Sequence, residues 1–147
     1  MTMQRYNNIG MSTLAIGSVM NYAKELPISK VILILPIITH RELLSYLSRK
    51  TTQIRSIEKL IIDRTVCFAN FNRRFNDNMC LSINSIQFLN DIETISITNS
   101  MIKLKTTIEY DKSMGEGLNK IYNSAENIAH ILNDNVENLY LNLRIEL

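Results

Sequence analysis

Thr94-Ile95-Ser96-Ile97-Thr98-Asn99-Ser100-Met101-Ile102-Lys103-Leu104-Lys105 is the one place in the chain where the apolar period is two. A two-residue turn at Asn99-Ser100 pairs Ile97 with Ile102 and Ile95 with Leu104. All four then share one face, while Thr94, Ser96, Thr98, Met101, Lys103 and Lys105 take the other. Asn-Ser is a weaker turn signal than Asn-Gly, but the shared register supports it. Around the hairpin the period is helical. Residues 82–92 read as a short helix with Ser85, Phe88, Leu89 and Ile92 inward. Before it, Ser56 is a good N-cap, and Ile57, Leu60, Ile61, Phe68, Phe71 and Phe75 form the strongest helical stripe in the chain. Arg64 interrupts that stripe, so it must find a carboxylate or lie at a contact edge. Arg73, Arg74, Asn76 and Asn78 close this helix. Two helices followed by a hairpin make the winged helix-turn-helix pattern, with 82–92 as third helix and 94–105 as wing.

Further out, residues 1–10 are polar and end in Gly10, a loosely held start. Ala15, Val19, Tyr22, Ala23 and Leu26 recur at helical spacing, and Pro27 stops that helix. Val31 to Ile38 is apolar throughout, strand or helix, with Pro36 against a central strand; in either form it is core. Thr39-His40-Arg41-Glu42 reads as a capping box. A helix with Leu43, Leu44 and Leu47 inward follows it and ends at Arg49-Lys50, cations suited to the helix C-terminus. Ser113-Met114-Gly115-Glu116 reads as a second capping box. The helix after it carries Leu118, Ile121, Ala125, Ile128, Leu132 and Leu139, with one step broken at Asn135 and Tyr122, Ala129, Val136 and Leu143 widening the stripe. The fold class expected is mainly α with one β-hairpin: a winged-helix-like α+β small domain with a long C-terminal helix. It divides into a loose start (1–10), a helical core with its hairpin (11–105) and the long helix (113–147).

Composition fits this and narrows function. The chain has 147 residues, one domain by length, and 46% are hydrophobic, ordinary for a globular core. A net charge of +2 excludes a heavily basic nucleic-acid coat, and four glycines with two prolines exclude collagen and Gly-rich phosphate loops. Cys67 and Cys80 match neither a zinc knuckle nor a redox pair and read as thiols in a reducing cytoplasm. The longest apolar run, Val31 to Ile38, falls well short of the roughly twenty residues a membrane helix needs.

No catalytic constellation is legible. GxxxxGK[ST], GxGxxG, HExxH and GxSxG are all missing. His40 and His130 have no neighbour at metal-ligand spacing, so no catalytic, metal or cofactor residue is assigned and an enzyme is not expected. The charge layout says more. Residues 40–75 hold eight Lys/Arg against three acids, a surplus of +5; residues 106–147 hold three cations against seven acids, −4. Such poles suit two unlike partners, or nucleic acid on one side. Candidate contacts with a partner or with nucleic acid are Arg41, Arg49, Lys50, Arg55, Arg73, Arg74, Lys103 and Lys105. Candidates for docking through the C-terminal helix are Leu118, Ile121, Ile128, Leu132 and Leu139. A winged-helix DNA-binding regulator is the alternative, but residues 82–92 contain no Lys or Arg for phosphates. Use of the motif as a protein-binding wedge is favoured.

Two parts of the sequence carry a family resemblance. One is Tyr6-Asn7-Asn8-Ile9-Gly10 with the small-residue helix after it. The other is the block Lys30 to His40, an apolar run ending Leu35-Pro36 and closed by His40, followed by Arg41 and a Leu-rich helix. Together they resemble the middle component of bacterial three-component ABC systems, which include the small subunit of Lamassu-type anti-phage complexes. The resemblance covers residues 6–75 and continues beyond them in the order of elements. It implies a small non-enzymatic adaptor in antiviral defence. Such a subunit sits on an SMC- or Rad50-like ATPase and connects it to an effector nuclease, with DNA contact within the complex and no membrane.

Overall fold

The computed structural model describes residues 2–111, 113 and 115–147. Its elements in order are α1 (Thr2–Ala23), β1 (Glu25–Pro27), α2 (Ile28–Val31), α3 (Ile34–Ile38), α4 (Arg41–Leu47), α5 (Ile57–Asp63), a 3-10 turn (Thr65–Phe68), α6 (Phe71–Asp77), α7 (Met79–Asp91), β2 (Ile95–Thr98), β3 (Met101–Leu104), α8 (Glu116–Leu132) and α9 (Val136–Asn142). This is a mainly helical α+β domain with a small antiparallel sheet.

The hairpin forms in the register read from its alternation: Ile95 opposes Leu104 and Ile97 opposes Ile102. Asn99 (φ 51°) and Ser100 (φ 65°) both take the left-handed backbone that a tight two-residue hairpin turn requires. Ile95 and Ile102 are buried. The third strand was not expected. Lys24 turns to φ 67° and ends α1 at Ala23, three residues short of the expected Leu26. The chain then pairs Leu26 with Ile102, giving the sheet order β1-β3-β2. Pro27 is tolerated because β1 is an edge strand with no second neighbour to receive its missing N–H. At its other end α1 begins at Thr2, so the stretch 1–10 expected as a loose start is helical from residue 2.

Helix α1 is the central element, packed between α7 and α8. Leu14, Ala15, Ile16, Val19 and Met20 are buried, and the Ser12 and Ser85 hydroxyls hydrogen-bond where α1 meets α7. Gly17 is a niche: a Cβ there would overlap the Ile108 side chain. Ile108 is held in place by Asn21, whose Nδ2 donates to the Ile108 carbonyl (2.8 Å) and whose Oδ1 accepts from the Ile108 amide (2.9 Å).

The apolar block resolves into two short helices, α2 and α3, with every residue from Leu33 to Ile38 buried. Pro36 sits in the first turn of α3, where no intrahelical acceptor exists for the N–H it lacks. The capping box expected at Thr39 is displaced by one residue. Thr39 still has helical backbone as the last cap of α3, whereas His40 is extended (φ −94°, ψ 113°). His40 Nδ1 therefore caps α4 by accepting from the Leu43 amide at 3.2 Å.

The long stripe after Ser56 is not one helix. Ser56 caps it as expected, its Oγ accepting from the Lys59 amide. At Arg64 the backbone leaves the helical region (φ −133°, ψ 47°), and the segment breaks into α5, the 3-10 turn and α6. The stripe residues Ile57, Leu60, Phe71 and Phe75 are still buried. The apolar spacing is satisfied across a kinked path as well as along a straight helix.

Helix α7 buries Ser82, Ser85, Ile86 and Leu89, while Phe88 and Ile92, expected inward, are exposed. The second capping box does not form. Gly115 (φ 112°) is the N-cap of α8, and the Ser113 amide instead donates to Asp111 Oδ1. The C-terminal helix ends at Leu132, and α9 starts afresh with Asn135 Oδ1 accepting from the Glu137 and Asn138 amides. Among the described residues no helix is long and apolar enough to cross a membrane.

Candidate partner interface

The stripe of the C-terminal segment faces inward. Ile121, Ile128, Leu132 and Leu139 are buried, and Leu118 packs against the same core. Helix α8 lies against α1 and α4, and α9 against α5. This corrects the expectation that these residues dock a partner groove: their apolar surface is already covered within the chain. Tyr140 closes the arrangement, its hydroxyl donating to the Ser29 carbonyl at 2.6 Å.

The candidate cations separate into three kinds. Arg74 is structural. Its guanidinium is half-buried over the Phe71 ring, and it donates from Nε to the Pro36 carbonyl (3.0 Å) and from Nη2 to the Cys67 carbonyl (2.8 Å). Burial pulls its pKa down from the usual arginine value. It thereby links the end of α3 to the 3-10 turn and is not presented to a partner. Arg73 and Lys103 are exposed but lie near carboxylates, Arg73 3.9 Å from Asp77 and Lys103 4.0 Å from Glu25. Arg41, Arg49, Lys50, Arg55 and Lys105 are exposed and form no ion pair with a described residue.

Helix α4 and the loop after it organise part of this last group. Tyr46 stacks with two guanidiniums, Arg64 at 4.1 Å from the ring centroid and Arg49 at 5.9 Å. Of the two outcomes expected for Arg64, a carboxylate partner or a place at an edge of the stripe, the first does not occur among the described residues: Arg64 is exposed on an aromatic face. Attraction between a cation and the π face orients the two guanidiniums on the ring. The loop is held as well: the Thr52 hydroxyl donates to the Tyr46 carbonyl (2.7 Å), and Asn127 Nδ2 on α8 donates to the Leu47 carbonyl (2.8 Å).

Large apolar side chains are also exposed in two places. Ile83 and Phe88 on α7 and Ile92 at its C-cap are exposed on a helix without a single Lys or Arg. On the ridge between α5 and the 3-10 turn, Ile62 and Val66 are 72% and 77% exposed. No group of three or more His, Cys, Asp or Glu gathers among the described residues. Burial pushes the Cys67 thiol up from its ordinary pKa, which keeps it protonated and unreactive.

The profile of the ABC-three component (ABC-3C) system Middle Component 3 family matches residues 14–147. The chain belongs to this family. No curated protein and no solved structure matches it. The match takes in residues 14–75 of the stretch whose resemblance was read from sequence, leaves residues 6–10 outside, and runs on through the hairpin and both C-terminal helices of this middle component.

Sequence reasoning passed over three residues of this middle component's surface: Tyr46, Ile62 and Val66. A signal for two of them was present. Ile62 and Val66 lie off the stripe of Ile57, Leu60 and Ile61, and an apolar residue opposite a buried stripe faces water or a partner. Tyr46 gave only the weak signal of Arg49 three residues on; its nearer partner Arg64 comes from a segment eighteen residues away.

Proposed function

We propose that this middle component is a non-catalytic adaptor. It connects an SMC- or Rad50-like ABC ATPase to an effector nuclease in anti-phage defence, as the small subunit of a Lamassu-type complex in the cytoplasm. The carrying observation is the outward face of α7. In a winged-helix reading this helix would enter the DNA groove, yet α7 holds no cation, and Ile83, Phe88 and, at its C-cap, Ile92 are exposed around it. A groove-reading helix needs donors for base edges, which the amides of Asn84, Gln87 and Asn90 could give, and charge for phosphates, which no residue of α7 gives. Exposed large apolar side chains on a helix without cations suit a protein better than a polyanion.

Two observations favour a second reading, a winged-helix DNA-binding regulator: the sheet order β1-β3-β2 beside α7, and Lys105 at the end of the hairpin. One experiment separates the two. The chain is mixed with the ABC ATPase and effector subunits encoded beside it and analysed by size-exclusion chromatography. Its binding to short duplex DNA at low salt is measured by fluorescence anisotropy. The adaptor reading expects a stable complex and no duplex binding by the isolated chain, with Phe88→Asp or Ile92→Asp weakening the complex about tenfold or more. Duplex binding with a steep salt slope and no complex would refute it in favour of the regulator.

A further inference from the structure

The ridge at residues 62–66 combines features that the α7 face lacks. Ile62 and Val66 are two of the most exposed aliphatic side chains in the described protein. Together with Asp63, Arg64 and Cys67 they border a cleft of about 410 Å³ that Glu42 also lines. Arg64, between them in sequence, is stacked on Tyr46 together with Arg49.

The charge here is lopsided and mostly uncompensated. Of the three acids in residues 40–75, Asp63 is paired with Lys59 at 3.0 Å. Glu58 accepts from Asn138 Nδ2 at 2.6 Å, which holds its carboxyl below the usual range. Glu58 keeps its charge, because its partner is a neutral amide, so Glu42 and Glu58 stand against Arg41, Arg49, Lys50, Arg55 and Arg64 in these residues. Both arginines at Tyr46 have their orientation set by the ring, so binding a carboxylate costs less side-chain ordering than it would for a free arginine.

We propose that the ridge from Ile62 to Val66, with Arg64 and Arg49 on Tyr46 beside it, is a docking surface for an acidic segment of a protein partner. Aliphatic side chains of that segment cover Ile62 and Val66 while its carboxylates meet the two guanidiniums. Nucleic acid is the other polyanion, but it has no use for two exposed aliphatic side chains flanking the cation. This surface is separate in sequence from α7, and it gives an adaptor the second contact that its role demands. The inference rests on the adaptor reading for its partner and goes beyond it in naming the surface and the partner's chemistry.

The test uses the reconstituted complex of full-length subunits. A photo-crosslinking amino acid replaces Ile62 or Val66, and the crosslinked partner segment is mapped by mass spectrometry. In parallel, complex affinity is measured for Arg64→Glu and Val66→Asp, with Arg73→Glu as control and thermal unfolding as the check on folding. The expected result is a crosslink to a segment rich in Asp or Glu. Each ridge variant then weakens binding about tenfold while Arg73→Glu stays within about twofold, and charge reversal of the mapped acids restores binding to Arg64→Glu. Crosslinks to nucleic acid, or to a basic or uncharged segment, overturn the proposal. So do ridge variants that bind like wild type while Phe88→Asp fails, a pattern that leaves the adaptor reading standing. No complex with any variant or with wild type overturns both.

Discussion

Gly17→Ala is expected to change sign with its partner. In the middle of a helix, replacing Gly by Ala normally stabilises by about 1 kcal/mol. Here the new Cβ would overlap Ile108 Cδ1 and stand 2.8 Å from its Cγ1, so the Ile108 side chain must leave its niche. Ile108 is half-buried, and losing that contact costs about 1–2 kcal/mol. The two hydrogen bonds between Asn21 and the Ile108 backbone weaken with it, at about 1 kcal/mol each if fully lost. The single substitution should therefore destabilise by about 1–2 kcal/mol and expose residues 106–111 to proteolysis. In an Ile108→Ala background the obstruction is gone, and Gly17→Ala should stabilise by about 0.5–1 kcal/mol. Urea unfolding followed by circular dichroism on all four proteins gives the cycle. A stabilising Gly17→Ala in the wild-type background, with residues 106–111 still protected, would refute the reasoning.

Three further outcomes are expected. Burial, helped by the neighbouring Arg74 charge, lowers the His40 pKa below its ordinary 6.5, so its neutral form caps α4 in the folded state. Because the unfolded chain binds that proton more readily, this stability is complete above pH 6.5 and is lost as pH falls from there towards the folded value. His40→Asn, which keeps a cap acceptor, should flatten the pH dependence of Tm in that window. Arg74→Lys should destabilise by about 1–3 kcal/mol in chemical denaturation, since one ammonium cannot serve both the Pro36 and Cys67 carbonyls. Ser100→Gly should raise stability by about 0.5 kcal/mol, because Ser100 holds φ 65° in the hairpin turn; an unchanged or lower Tm would count against that turn geometry.

Where local chemistry is sufficient, the sequence was readable. The alternation in residues 94–105 set both the strands and their register, since a slip by one residue would turn Ile95 and Ile102 out of the core. Ser56 specified a helix start through one short-range hydrogen bond. The block 31–38 had to be buried in either conformation, and it is, as helix. The inward residues of the C-terminal segment were correct as a stripe, but a stripe does not say whether its cover is another molecule or the same chain.

The candidate surface was legible in charge and not in geometry. The excess of cations in residues 40–75 follows from counting, yet Arg74 and Arg64 were indistinguishable as letters. One is locked to two carbonyls from distant segments; the other lies open on a tyrosine.

What the sequence determined by itself is therefore the set of local commitments: periodicity, hairpin register, one helix cap and the sign of charge along the chain. Only the tertiary structure decided where those commitments yield. It broke the 57–78 stripe at Arg64, recruited Glu25–Pro27 into the sheet and covered the α8 stripe with α1 and α4. The reason is that a helical period constrains neighbours three and four residues apart, whereas the break, the third strand and the cover each depend on surfaces brought together from far along the chain.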